Sequence, residues 1–395
     1  MILKKLPPLW LIILIVGIPQ LSETVYTPSL PSLAEFFHVS HSSAEYTLTI
    51  YLFSFAIGTL FWGWLSDLFG RKICVLYGII IFIFGSLECF FASSFTMLMF
   101  GRFIQGFGGS IGSVLGQAIC RDAFHGYDLG KAYSTVAMAL AFFPVIGPVI
   151  GGVITELYNW HNIFMVLALV AFVIFVITVF FLPETHAREK RAKMNFLEIF
   201  SLLIKNKHVM SLSIIVSACN GIVFSYFAEG PFYLISELGL TPRQYGMTFV
   251  LTAFATIFGA LYSKKMQAKY GSQSIIYIGI FIIFFSSLIL SVVAFINQYY
   301  VMIKSIVIIC TILTQFGNMF GFVLAVSNAL SIALVDFKWC VGTASSVFGF
   351  TYYSLISLFT LLMGILHNGT LIVMPVYFLS LSILMLLVYK VFLRR

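Results

Sequence analysis

Charge is what this sequence has least of: Asp and Glu together number 14 in 395 residues, and charged residues make up 9% of the chain. A soluble domain carries about 25%, so a water-facing surface cannot be built all round this one. Cysteine is sparse as well. Cys74, Cys89, Cys120, Cys219, Cys310 and Cys340 stand singly, which gives neither a disulfide framework nor a zinc spacing, and they read as packing residues. No Ser-His-Asp set, paired-carboxylate constellation or phosphate loop is present, so an enzyme is not expected. GFGGSIG at 106–112 has glycines like a nucleotide loop, but it follows no strand and lies inside an apolar run. His38 and His41 lie three apart with no third ligand in view, so no metal and no cofactor is expected.

What is there is apolar sequence. Hydrophobic residues make up 61% of the chain and mean hydropathy is +1.04. Runs such as ICVLYGIIIFIFGSLECFFA (73–92) and WHNIFMVLALVAFVIFVITVFFL (160–182) meet the roughly 20 residues a helix needs to cross a bilayer. With no water in the hydrocarbon to satisfy backbone groups, helices are the reading for such runs. The pattern predicts an all-α membrane protein of twelve spans, near 8–33, 44–67, 73–92, 97–120, 129–155, 160–182, 208–236, 245–266, 272–296, 299–328, 340–365 and 370–392. The first run follows Lys4 and Lys5 but has no small-residue cleavage site, so it reads as a span rather than a signal peptide.

Basic residues orient the layout. Lys4, Lys5, Arg71, Lys72, Arg121, Lys131, the 188–207 cluster, Lys264, Lys265, Lys269, Lys338, Lys390, Arg394 and Arg395 all fall on one side of twelve spans. By the positive-inside rule that side is cytoplasmic and both termini lie there. Arg102, Arg243 and Lys304 alone break the pattern. The net charge of +8 then reflects loops facing anionic lipid, not a nucleic-acid partner. The polar segment PETHAREKRAKMNFLEIFSLLIKNK divides the chain into a bundle at 1–182, a linker at 183–207 and a bundle at 208–395. Within it FLEIFSLLI (196–204) reads either as a short amphipathic helix on the membrane surface or as solvated linker. GWLSDLFGRK (63–72) and GALYSKKMQAKYG (259–271) end the second span of each half about 200 residues apart, a weak internal repeat of the kind transporters use.

Several stretches carry a resemblance. GWLSDLFGRK closely matches the G-x-L-x-D-x-x-G-R-K loop of the major facilitator superfamily, between the second and third spans. GRFIQGFGGSIG (101–112) resembles that family's fourth-span motif, AFFPVIGPVIGG (141–152) its fifth-span antiporter motif, and LPET (182–185) the end of the sixth span in many drug exporters. YTPSLP (26–31) is similar to the Y-x-P-x-x-P of the bicyclomycin-resistance (Bcr/CflA) group of drug:proton antiporters. The first half matches densely; the second matches mainly in topology and in GTASS (342–346). That group usually has an aspartate two residues before the tyrosine, where this sequence has Thr24, with Glu23 one place earlier. One residue turns a side chain by about 100°. The resemblance implies two pseudo-symmetric six-helix bundles. It also implies a gating motif of Gly63, Asp67, Gly70, Arg71, Lys72, Arg121 and Asp122, in which Asp67 meets the start of the eleventh span. The antiporter motif would be Pro144, Gly147, Pro148, Gly151 and Gly152, bending the fifth span.

Read physically, Glu23 lies about 22 Å into the first span, at 1.5 Å per residue. A charge there costs about 2.5–3.5 kcal/mol, so it either faces a cavity and pairs or takes a proton. Arg102 is expected at similar depth and is its candidate partner, as a switchable pair or as permanent glue. Glu229 and Lys304 occupy equivalent places in the second half, 206 and 202 positions later, completing a quartet; Lys304 also reads as a snorkelling interfacial residue. Glu88 is a weaker candidate. Cavity-lining residues are expected among Gln20, Thr24 and Thr27, Gln105, and Gln315 with Asn318, walled by Tyr26, Tyr51 and Tyr226. Such polar stripes are either a pathway or interhelical glue. Gly108, Gly112 and Gly116 put one smooth packing face on the fourth span.

The expected function is a proton-coupled exporter of small organic molecules working by alternating access, monomeric, with protons, cargo and lipid as its partners. Export of a self-made metabolite such as a siderophore, proton-coupled nutrient uptake, and a non-transporting membrane sensor are the alternatives.

Overall fold

A computed structural model describes residues 6–186, 196–300 and 302–393. Helix α1 (Leu9–Thr24) passes through a 3-10 turn at Thr27–Ser29 into α2 (Leu30–Phe37), so the first span bends where Pro28 and Pro31 stand. Then come α3 (His41–Phe69), α4 (Arg71–Phe90), α5 (Phe95–Ala123), α6 (Gly126–Leu157) and α7 (His161–Phe181). After the short α8 (Phe196–Lys205) follow α9 (Lys207–Pro231), a π turn at Phe232–Glu237, α10 (Pro242–Gln267), α11 (Ser272–Tyr300), α12 (Lys304–Ala333), α13 (Val341–Leu366) and α14 (Val373–Val388). Among the described residues no strand occurs.

Among the described residues, ten helical segments are long and apolar enough to cross a membrane. Helices α5 and α6, of 29 and 32 residues, are as long but lie outside that set; in α5, Arg102, Gln105 and a run of glycines dilute the apolar surface. The expected twelve spans therefore map onto ten segments that meet the measure and these two. The basic clusters at 1–5, 188–195 and 394–395 lie outside the described residues.

The same pairing recurs in the first six and last six long helices. α4 packs on α5 as α11 packs on α12, α1 on α6 as α9 on α13, and α4 on α7 as α11 on α14. The two sets meet along α3–α13 and α6–α10. Small residues make these approaches possible: a Cβ on Gly112 would overlap the Ile15 carbonyl of α1, and one on Gly116 the Val16 side chain. The smooth face expected on the fourth span is thus used against the first. FLEIFSLLI is helical, with Ile199 and Leu203 buried and α8 packed on α13 and α9. Cys89, Cys120, Cys219 and Cys310 are free thiols.

Loops alternate between two ends of the bundle. One, here the basic end, carries Arg71, Lys72, Arg121, Lys131 and Lys264. The other is the opposite end.

Candidate functional site

The interior of the first half holds the acid and the base singled out there. Glu23 and Arg102 are both fully enclosed, and they are met differently. Arg102 hydrogen-bonds Gln105 Oε1 through Nη1, and its Nη1 and Nε reach the Ser22 and Thr47 carbonyls at 3.5 and 3.4 Å. Its guanidinium sits 4.1 Å from the Tyr26 ring centre and 4.2 Å from that of Tyr51, an aromatic sandwich that suits a delocalised cation. Glu23 has no such shell. Neither carboxylate oxygen accepts a hydrogen bond from a described residue, and no ion pair within 4.0 Å joins it to Arg102. It lies within electrostatic reach of Arg102, Tyr51, Tyr352 and Tyr353, so α13 supplies one side of its surroundings. The direct Glu23–Arg102 pair is not formed in this conformation.

The rings are anchored. Tyr51 donates to the Pro19 carbonyl at 3.1 Å, and Tyr26 shares a 3.2 Å hydrogen bond with Thr47. Gln20 is buried with its Nε2 unpartnered among described residues, while Gln105 Nε2 donates to Ser86 of α4 at 2.8 Å. Tyr226 packs against Tyr245 and Phe249 of α10. The polar stripe on α12 is engaged elsewhere. Asn318 Nδ2 donates to Gln315, and Asn318 Oδ1 accepts from Ser287 of α11 at 3.4 Å, so these residues tie two neighbouring helices.

The second-half pair expected from symmetry is not assembled. Lys304 is exposed and its Nζ donates to the Glu237 carbonyl at 3.0 Å, closing the first turn of α12 onto the π turn. Glu229 instead meets His367, with Nδ1 to Oε2 at 2.7 Å, and Glu45 of α3 approaches the same Nδ1 at 3.6 Å. The ligand-type atoms of Glu45, Glu229 and His367 all lie within 4.8 Å of one another. The hydrogen bond to Glu229 holds the imidazole of His367 protonated to a higher pH than usual, with burial opposing it. Two full negative charges at about 4 Å repel by about 4 kcal/mol at an effective dielectric near 20. Reading the sequence missed Glu45 and His367: each sits at the edge of an apolar run, where a polar residue ordinarily marks a helix end.

Around this cluster the opposite end is shut. A Cβ on Gly151 would overlap the Val25 carbonyl, one on Gly152 the Pro242 carbonyl, and one on Gly246 the Pro148 carbonyl. Gly147 meets Thr24 in the same way. The antiporter-motif glycines therefore seat α6 against α1 and α10, and Pro144 and Pro148 lie inside one continuous helix. Glu156 of α6 accepts from Thr241 Oγ1 and the Arg243 amide at 3.1 and 3.3 Å, placing a carboxylate at the N-terminus of α10.

At the basic end Asp67 pairs with Arg71 at 2.7 Å, and Arg71 Nε with Asp122 at 2.9 Å. The start of the eleventh span at Gly342, where Asp67 is expected to make contact, lies outside the described side chains; among the described residues Asp67 makes this i,i+4 pair. The helices still touch there, since a Cβ on Gly63 would overlap Ser346 of α13. Gly70 makes the turn at φ 104°, a backbone region open to glycine. Arg121 donates to Tyr133 at 3.3 Å rather than supporting Asp67, and the Lys72 ammonium donates to the Val179 carbonyl at 2.8 Å. Glu184, read only as part of a motif, caps α4 by accepting from the Arg71 and Lys72 amides at 2.9 and 3.2 Å.

The profile of the Major Facilitator Superfamily matches residues 12–361. The chain belongs to that superfamily. It is 33% identical over 97% of its length, and 95% of the relative's, to a protein of Rickettsia bellii named as an uncharacterized transporter. It is 32% identical over 69% of both chains to a bicyclomycin resistance protein homolog of Haemophilus influenzae. In fold it is similar to the xylose transporter XylE of E. coli in a partially occluded inward open conformation, with TM-score 0.76, 14% identity and 98% of each chain covered. The membership agrees with the loop and span motifs and with the all-helical architecture.

Proposed function

We propose that this superfamily member is a proton-coupled exporter of small organic molecules in a bacterial cytoplasmic membrane, with its basic end and both termini in the cytoplasm. The observation that carries the reading is Glu23: a fully enclosed acid with no hydrogen-bond partner for either oxygen among the described residues. A buried carboxylate without a shell is costly in the ionised form, so a proton belongs on it in this state. Arg102 stands within electrostatic reach, and a rearrangement bringing the pair into contact would favour loss of that proton. Alternating between the two couples a proton gradient, worth about 2.3 kcal/mol per charge per 100 mV, to movement of the halves.

Tyr26 and Tyr51, packed on Arg102, and Tyr352 and Tyr353 near Glu23 would offer aromatic faces to flat, cationic or weakly polar cargo once the halves part. The bicyclomycin-resistance name of a relative supports the drug class. At the basic end the Asp67–Arg71–Asp122 network ties α3, α4 and α5 together, so that they move as one unit as α3 shifts on α13. Deleting the gene should raise accumulation of a cationic dye in cells, and collapsing the proton gradient should abolish the difference. An uptake carrier gives the opposite sign, and a sensor gives no flux in membrane vesicles.

A further inference from the structure

The cluster at the opposite end joins the halves through three ionisable side chains, and its charges do not balance. Glu45 comes from α3 in the first half; Glu229 from α9 and His367 from the end of α13 belong to the second. Glu45 is fully enclosed, and neither of its oxygens has a hydrogen-bond partner among the described residues, although both groups it faces can supply or share a proton. With His367 charged and hydrogen-bonded to Glu229, one negative charge remains on Glu45 with no cation of its own. The surrounding groups do not supply one. His41 of α3 lies edge-on to His367 with ring centres 5.5 Å apart and stacks on Phe232, while Tyr233 and Glu237 on the π turn add no positive charge. The Lys304 ammonium is bound to the Glu237 carbonyl.

We infer that Glu45, Glu229 and His367 form a proton-binding site between the two halves, complete only while the opposite end is closed. It rests on the proton-coupled reading above and adds a second station to it. A proton taken from the outside neutralises Glu45, which hydrogen-bonds across to Glu229 and draws α3 onto α9 and α13. Losing it leaves two carboxylates side by side at one imidazolium nitrogen, and their repulsion opens the same seam. In an exporter that order is the useful one: the proton that enters from outside closes the outer end behind the departing cargo.

The seam is read by spin labels on Glu35 of α2 and Asn368 after α13, both exposed, in a full-length chain whose native cysteines are replaced by serine. Pulsed distance measurements in lipid nanodiscs from about pH 5.5 to about pH 8.5 bracket the histidine range. The wild-type background should shift from a short to a long distance as pH rises. Glu45→Gln, which keeps shape and hydrogen bonding, should stay short throughout, and His367→Asn should move the opening to lower pH. A pH-independent distance in the wild type, or a Glu45→Gln chain that keeps the wild-type transition, overturns the site. So does a seam that ignores pH but closes on adding micromolar Zn2+, since the cluster would then be a metal staple. Gradient-driven flux in vesicles separates the two claims: flux without a pH-dependent seam removes this site and spares the exporter, whereas a pH-dependent seam without gradient-driven flux does the reverse.

Discussion

Glu23 and Arg102 show how far a single position can be read. Fifteen residues into an apolar run, a carboxylate is visibly misplaced, and burial at the centre follows from the cost of exposing it to lipid. Its lack of partners was not legible, because that depends on Arg102 turning to Gln105 on its own helix and to Ser22, Thr47 and two rings drawn from two other stretches of chain. Glu45 and His367 were invisible for the same reason: they lie 184 and 138 residues from Glu229, and no local period records the meeting. His367 carries a stability prediction. Its proton affinity is raised in the folded chain above the ordinary value of 6.5 by Glu229, so its contribution is full below that value and is lost as pH climbs through the raised one. His367→Asn should therefore lower the melting temperature at pH 5.5 and change it little at pH 8.5. Equal losses at both would place the stabilisation in packing instead.

At the scale of elements, helix positions follow from hydrophobic spacing, and of the two readings open for 196–204 the helix is the one formed, with Ile199 and Leu203 buried. The π turn at Phe232–Glu237 had no such signal. Close helix approach also belongs here. Gly152 and Gly246 leave no room for a Cβ at the α6–α10 seam, so Gly152→Val should cost about 1–3 kcal/mol through overpacking, seen as a lower melting temperature and reduced flux. A variant with wild-type stability would mean the seam is slack. Glu184→Gln removes the charge that caps α4 and should cost about 1 kcal/mol, less than Asp122→Ala, which takes away one of the two carboxylates that pair with the buried Arg71.

Across the whole molecule the repeat governs the layout: helix pairings in the first half recur in the second. The chemistry does not follow the symmetry. Equivalent placement suggested one acid–base pair per half, yet Lys304 faces the edge of the bundle and Glu229 is shared with a histidine and an acid from the other half. Sequence equivalence fixes depth along a helix but not the direction a side chain takes once neighbours compete for it. The first half then holds a central acid that lacks a shell, and the seam between halves holds a second acidic group.

Gradient-driven transport of a fluorescent cationic dye in reconstituted proteoliposomes, comparing wild type with Glu23→Gln at matched folding and orientation, bears most directly on the role of that central acid. Glu23→Gln should lose gradient-driven flux by at least about tenfold while still exchanging dye for dye across the membrane. A Glu23→Gln protein whose flux keeps the wild-type dependence on the proton gradient would contradict it.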